Sequence, residues 1–134
     1  MSQENVELAR AVLDTLGTRD AERLIELSDP EVEWHSFFAL SEGGVYRGHD
    51  GTRRYMSDLA DAWEIRAAEV DDALGVGDIA LLVGRIHYRG RGSGVESASP
   101  AVGWMLKFRD GKVLRFRAFR DPAQALADLG LQDG

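Results

Sequence analysis

Apolar residues recur at helical spacing in the first half of the chain and by alternation in the second, and the change falls near residue 65. Val6, Ala9, Leu13 and Leu16 predict a first helix, capped by Ser2 with Glu4 in its first turn and closed by Gly17. Asp20 caps a short second helix carrying Leu24, Ile25 and Leu27, and Asp29-Pro30 stops it. "EVEWHSFF" then reads as a strand, with Val32, Trp34 and Ser36 on one face and His35 on the other. A glycine-rich loop, "SEGGVYRGHDG", leads to a third helix capped by Asp50, whose stripe is Tyr55, Met56, Leu59 and Trp63.

Beyond Ile65 the pattern is that of strands. "IRAAEVDDALGV" turns at Gly77-Asp78 into "IALLVGRIHYRG", and "RGSG" turns the chain again. Val95–Arg109 reads as one strand and Lys112–Arg120 as the next, joined by Asp110-Gly111. That dipeptide suits a type I′ turn, which needs φ > 0 at both central positions. Asp121-Pro122 opens a last helix expected to end at Gly130. Helices followed by a run of hairpin-joined strands predict an α+β fold in a single domain, residues 1–134. The expected form is a curved antiparallel sheet, a cone-shaped half-barrel closed by the N-terminal helices. Its mouth is a natural ligand pocket.

Charge and composition remove several functions. A formal net charge of −7 with no clustered basic patch argues against nucleic acid and anionic membranes as partners. No apolar run is long enough to span a bilayer, and the N-terminus does not read as a signal peptide. The chain has no cysteine, hence no thiolate nucleophile or disulfide, which fits a cytoplasmic protein. Three histidines, none at ligand spacing with another, give no metal site. No Gly-x-Ser-x-Gly occurs, and "GRGSGVE" joins two strands instead of opening a helix, so it is no phosphate loop.

Four stretches, "LIELSDPEVEWH", "GGVYRGHDGTRRYM", "RGRGSGVE" and "FRDGKVLRFRAFRDPAQALADLGL", stand in an order that resembles the SnoaL-like branch of the nuclear-transport-factor-2-like superfamily. The resemblance implies a curved sheet around a pocket and a homodimer through the outer sheet face. It leaves activity open among isomerases, epoxide hydrolases, dehydratases, cyclases and binding domains, because fold alone does not set function.

Alternation assigns the faces. Leu82, Gly84, Ile86 and Tyr88 point inward, as do Val102, Trp104, Leu106 and Phe108, and then Leu114, Phe116, Ala118 and Arg120. Arg115 and Arg117 point out. The expected pocket is therefore Trp34, Ser36, Tyr46, Tyr55, Trp63, Tyr88, Trp104, Phe116 and Arg120. Such walls suit a small, largely apolar, ring-containing ligand, with no cofactor. The alternative is that the tryptophans simply fill the core.

The resemblance to ketosteroid isomerases implies a tyrosine on the first helix and acids on two inner strand positions. Here the helix has no tyrosine and those positions are Trp34 and Trp104. The Asp-Arg-Asp arrangement of the hydrolases is missing, and His35 and His87 point outward, away from any dehydratase-like pair. The cyclases use an aspartate near the end of the last strand, which maps onto Asp121, ahead of Asp128-Leu129-Gly130, with Arg120 as a partner for an enolate or carboxylate. Asp121 and Arg120 are thus the catalytic candidates. Against this, an aspartate before a helix-opening proline is fully explained as an N-cap. A non-catalytic binding domain and a dimeric scaffold remain alongside the enzyme.

Overall fold

A computed structural model of the chain describes residues 2–35, 45–62, 64–89 and 93–133. The elements are α1 (Ser2–Thr18), α2 (Ala21–Glu26), β1 (Ser28–His35), β2 (Tyr46–Arg47), α3 (Gly48–Ala62), β3 (Glu64–Val76), β4 (Ile79–Arg89), β5 (Glu96–Ala98), β6 (Val102–Arg109), β7 (Lys112–Phe119) and α4 (Pro122–Asp133). No described helix is long and apolar enough to cross a membrane.

The fold is α+β, as expected, but its curved sheet is mixed. The strand order is β2-β1-β7-β6-β4-β3, with β5 added to β4. The hairpin-linked strands are antiparallel, whereas β1 lies parallel to β7. Alternation within a strand says nothing about strand direction, so this pairing had no local signal. The expected strand Val95–Arg109 is two pieces, β5 and β6, both on β4. Pro100 falls in the gap, where it cannot donate to a ladder. Ser99 bridges the break: its amide donates to Ile86 O at 2.9 Å and its Oγ accepts from the Ile86 amide at 2.9 Å.

Several boundaries shift for local reasons. α1 runs over Gly17, and the left-handed residue after it is Arg19 at φ 58°. α2 ends before Leu27, so Asp29-Pro30 lies inside β1 instead of stopping the helix. α3 starts at Gly48, which places Asp50 in its first turn and not at the cap. α4 continues past Gly130 to Asp133. The β6–β7 turn is as expected, with Asp110 at φ 53° and Gly111 at φ 76°.

Both sheet faces are covered, not one. On the inner face, Val6, Ala9, Val12, Leu13 and Leu16 of α1 pack with Ala80, Leu82, Trp104, Leu106, Phe116 and the rest of the main core. On the outer face a second core joins Ile79, Leu81, Met105 and Phe119 to Ala125 and Leu129 of α4. Gly103 allows this close approach, since a Cβ there would stand 2.9 Å from the Ala125 Cβ. The outer sheet face, through which the resemblance implies a homodimer, thus has a partner within the chain over Ile79 and Leu81 of β4.

Candidate functional site

The inner face of the sheet carries a row of residues in register: Trp34 beside Phe116, Phe116 beside Leu106, and Leu106 beside Ala80. α3 lies over β1 and brings Tyr55 onto this row. Tyr55 stacks on Trp34, with ring centroids 5.4 Å apart and planes 13° from parallel. Phe116 lies 5.2 Å from Trp34 and 6.1 Å from Tyr55, and Tyr46 lies 5.5 Å from Tyr55. Such aromatic pairs each contribute about 0.5–1.5 kcal/mol beyond the area they bury.

Four of the expected pocket residues therefore form one cluster. Trp34 is 0 % exposed, Phe116 1 % and Tyr55 3 %, so these rings are packed as core. Trp104, also buried, sits in the same core opposite Leu82 and Ala118. Tyr88 stands apart, on the order of 20 Å along β4 from Leu82 at the usual rise per residue. There, with His87, Glu96, Ser97 and Ala98, it lines an open groove of about 310 Å³. Ser36 and Trp63 lie outside the described residues.

Arg120, expected inward, stands just past the strand. β7 ends at Phe119, so alternation no longer governs the next residue, and Arg120 is exposed in the bend that follows. Leu114 is also not in the core, and Val113 takes its place. The ladder slips between Lys107 and Phe108, pairing Phe108 with Val113 and Lys107 with Arg115, so Leu114 is the extra residue of a bulge. Asp121 caps α4: its Oδ1 accepts from the Ala123 amide at 2.9 Å, and its carbonyl accepts from the Gln124 amide at 3.0 Å.

The polar groups of the aromatic cluster are mostly paired. The Trp34 indole N–H donates to Thr52 Oγ1 at 2.7 Å, and Thr52 donates to Gly48 O at 2.9 Å. The Tyr46 hydroxyl donates to Asp58 Oδ2 at 2.6 Å. Tyr55 is buried against Trp34 and Phe116. Burial, reinforced by the neighbouring Tyr46 phenol, pushes its ionisation well above the ordinary tyrosine range, so it stays a neutral donor.

The acids whose ionisation is lowered lie elsewhere. Asp29, buried at the start of β1, accepts from Arg109 Nε at 3.1 Å and Nη2 at 2.9 Å, and from the Glu31 amide at 2.8 Å. The Arg109 bonds first, then that amide, hold its carboxyl below the usual range. On the outer face, Glu33 is bound by His35 at 2.9 Å and Arg47 at 2.6 Å, and His35 is the main cause of its lowered pKa. His87 pairs with Glu69 at 2.6 Å and lowers that acid in the same way. His49 sits in the first turn of α3, its Nε2 3.1 Å from Ser28 O. Thr52 and Asp58 went unnoticed in the sequence. Thr52 had a signal, standing three residues before Tyr55 on the same helix face, where a buried indole needs an acceptor.

The SnoaL-like domain family matches residues 9–116. The chain belongs to that family. Solved structures share the SnoaL-like fold over nearly the whole chain. An NTF2-like protein of unknown function from Burkholderia pseudomallei K96243 is 19 % identical, covering 92 % of this chain and 95 % of its own, with a TM-score of 0.75. TerC, co-crystallised with polyporic acid, is 22 % identical over 94 % of this chain and 97 % of its own, with a TM-score of 0.75. A candidate SnoaL-like polyketide cyclase from Jannaschia sp. CCS1 is 18 % identical over 94 % and 91 %, with a TM-score of 0.74. At such identities the SnoaL-like chain shares a fold with these proteins, and no more follows. No curated protein matches its sequence.

Proposed function

We propose that this SnoaL-like protein is a cytoplasmic, single-domain binder of a small, largely apolar, ring-containing molecule, held at the aromatic end of the inner sheet face without a cofactor. The observation that supports the reading is the cluster of Trp34, Tyr46, Tyr55 and Phe116, buried aromatic rings that reach the surface at the half-buried Tyr46. The co-crystallisation of TerC with polyporic acid accords with it. Binding is preferred to catalysis because the carboxylate expected to act, Asp121, is engaged with the amides of α4. Tryptophan fluorescence across steroids, aromatic polyketides and simple carboxylates is the test. Ring compounds quench or shift the emission on this reading, and binding of small acids alone overturns it.

A second reading, cofactor-independent acid/base cyclisation or isomerisation, draws on the likeness to the Jannaschia cyclase candidate. It requires Asp121 and Arg120 to reach the ligand. Turnover of an aromatic polyketide that disappears in Asp121→Ser would favour it over binding alone. The homodimer through the outer face has to use ground that α4 leaves open, near Val83. Sedimentation at micromolar concentration is its test, and a pure monomer removes it.

A further inference from the structure

We propose that the outer face of the sheet, across β2, β1, β7 and β6, docks an extended acidic peptide segment of a partner protein. The inference goes beyond the binding reading above and does not depend on it.

Basic residues far apart in sequence meet here through the strand register. Arg47 stands beside Glu33, Glu33 beside Arg115, and Arg115 beside Lys107, in one row across four strands. His35 and Arg117 pair two residues further along. Trp34, Phe116 and Leu106, their neighbours in the chain, lie in the main core, so this row points to the other side. There α4 closes the sheet over Ile79, Leu81, Met105 and Phe119. The arginines stay accessible, with the side chains of Arg47, Arg115 and Arg117 66 %, 43 % and 39 % exposed.

The patch carries a surplus of positive charge in a chain whose formal net charge is −7. Among the described residues, Arg47, Arg115, Arg117 and Lys107 are paired with two carboxylates, Glu33 and Asp128. Glu33 is held by His35 at 2.9 Å and Arg47 at 2.6 Å, while Arg115 is 3.9 Å from it. Arg117 stands 3.7 Å from Asp128. Lys107 makes no ion pair among the described residues. Such a surplus attracts a partner of opposite charge.

The spacing selects the partner. Neighbouring strands lie about 4.8 Å apart, so Arg47 and Lys107 are about 14 Å apart across the row. Alternate side chains of an extended peptide recur about every 7 Å, so three acids at alternate positions span the same length. A nucleic acid fits less well. Glu33 interrupts the row, the net charge of the chain repels a polyphosphate, and Phe119, the ring beside Arg117 on this side, is buried and offers bases no stacking surface.

The test uses the peptides Glu-Thr-Glu-Thr-Glu and Gln-Thr-Gln-Thr-Gln, each carrying the same neutral fluorophore, and reads anisotropy at low salt with the full-length protein. The acidic peptide should bind about tenfold more tightly than the amide one, as expected for a few exposed ion pairs. Lys107→Gln combined with Arg115→Gln should lose that preference. Arg10→Gln, which removes an exposed cation from α1, should keep it. In the wild type, amide shifts on titration with the acidic peptide should fall on β1, β6 and β7. Equal binding of the two peptides would overturn the inference, as would equal loss in Arg10→Gln or shifts confined to other strands. So would tighter binding of an oligothymidylate of the same charge, or slower sedimentation of the double variant than of the wild type, which would mean that a second copy covers the patch.

Discussion

Trp34 and Thr52 are joined by a buried hydrogen bond of 2.7 Å that fastens α3 to β1. Thr52 passes the bond on to Gly48 O one helical turn back, so its one hydroxyl serves two partners. Thr52→Val keeps the shape and removes both bonds, leaving the indole N–H unpaired in the core. The expected cost is about 1–3 kcal/mol, read from the urea midpoint. An unchanged midpoint would mean that the indole finds another acceptor.

Asp121 separates capping from catalysis. Its side chain accepts from the Ala123 amide, and serine caps about as well as aspartate. Asp121→Ser should therefore leave stability nearly unchanged, while Asp121→Ala should lose about 0.5–2 kcal/mol. Thermal melts of the two variants check this, and equal melting temperatures would deny the cap.

Gly103 is where α4 meets the outer sheet face. Gly103→Ala puts a methyl against Ala125, 2.9 Å from its Cβ, and should destabilise by about 1–3 kcal/mol through overpacking. Guanidinium unfolding measures it. A neutral result would show that α4 moves away at little cost.

Two pH limits follow from named groups. Asp29 is held below its ordinary value of 3.8, chiefly by Arg109. A depressed carboxyl stabilises the fold above its unfolded pKa and loses that contribution as pH falls through the folded one. Asp29→Asn should therefore be less stable than the wild type at pH 6, with the gap closing below about pH 4. Urea titrations at stepped pH show whether the curves converge.

Tyr55 sets the alkaline limit with the opposite sign. Its ionisation is raised above the usual 10.0, so its contribution is constant below pH 10 and declines above it as the unfolded chain alone ionises. Absorbance at phenolate wavelengths should show one of the three tyrosines silent until the protein unfolds. Three smooth titrations in the native state would contradict the burial of Tyr55.

The sequence showed what depends on neighbours along the chain. The Asp110-Gly111 turn, the Asp20 cap and the inward sides of β4 and β6 each follow from local chemistry or alternation, and each appears in the structure. What escaped depends on distant partners. The parallel β1–β7 ladder, the Asp29–Arg109 pair and the seat of α4 on the outer face join segments far apart in sequence. Alternation also fails wherever a strand bulges or stops. That is why Leu114 gave way to Val113 and why alternation does not fix the side of Arg120. The expected pocket was partly legible: alternation and the helix stripe together selected Trp34, Tyr55 and Phe116, while the long strand placed Tyr88 far from them.

The parallel pairing of β1 with β7 also sets an order of events. Ser28 faces Val113 and His35 faces Arg117, so roughly eighty residues must close into a loop before that ladder forms. Contacts of such long range slow folding more than local ones. During synthesis Trp34 emerges long before Phe116 and waits without the strand that will cover it. The nascent chain therefore carries an open strand edge and an unburied aromatic face until its last fifth is made, and its exposure to aggregation ends only when β7 slots in beside β1.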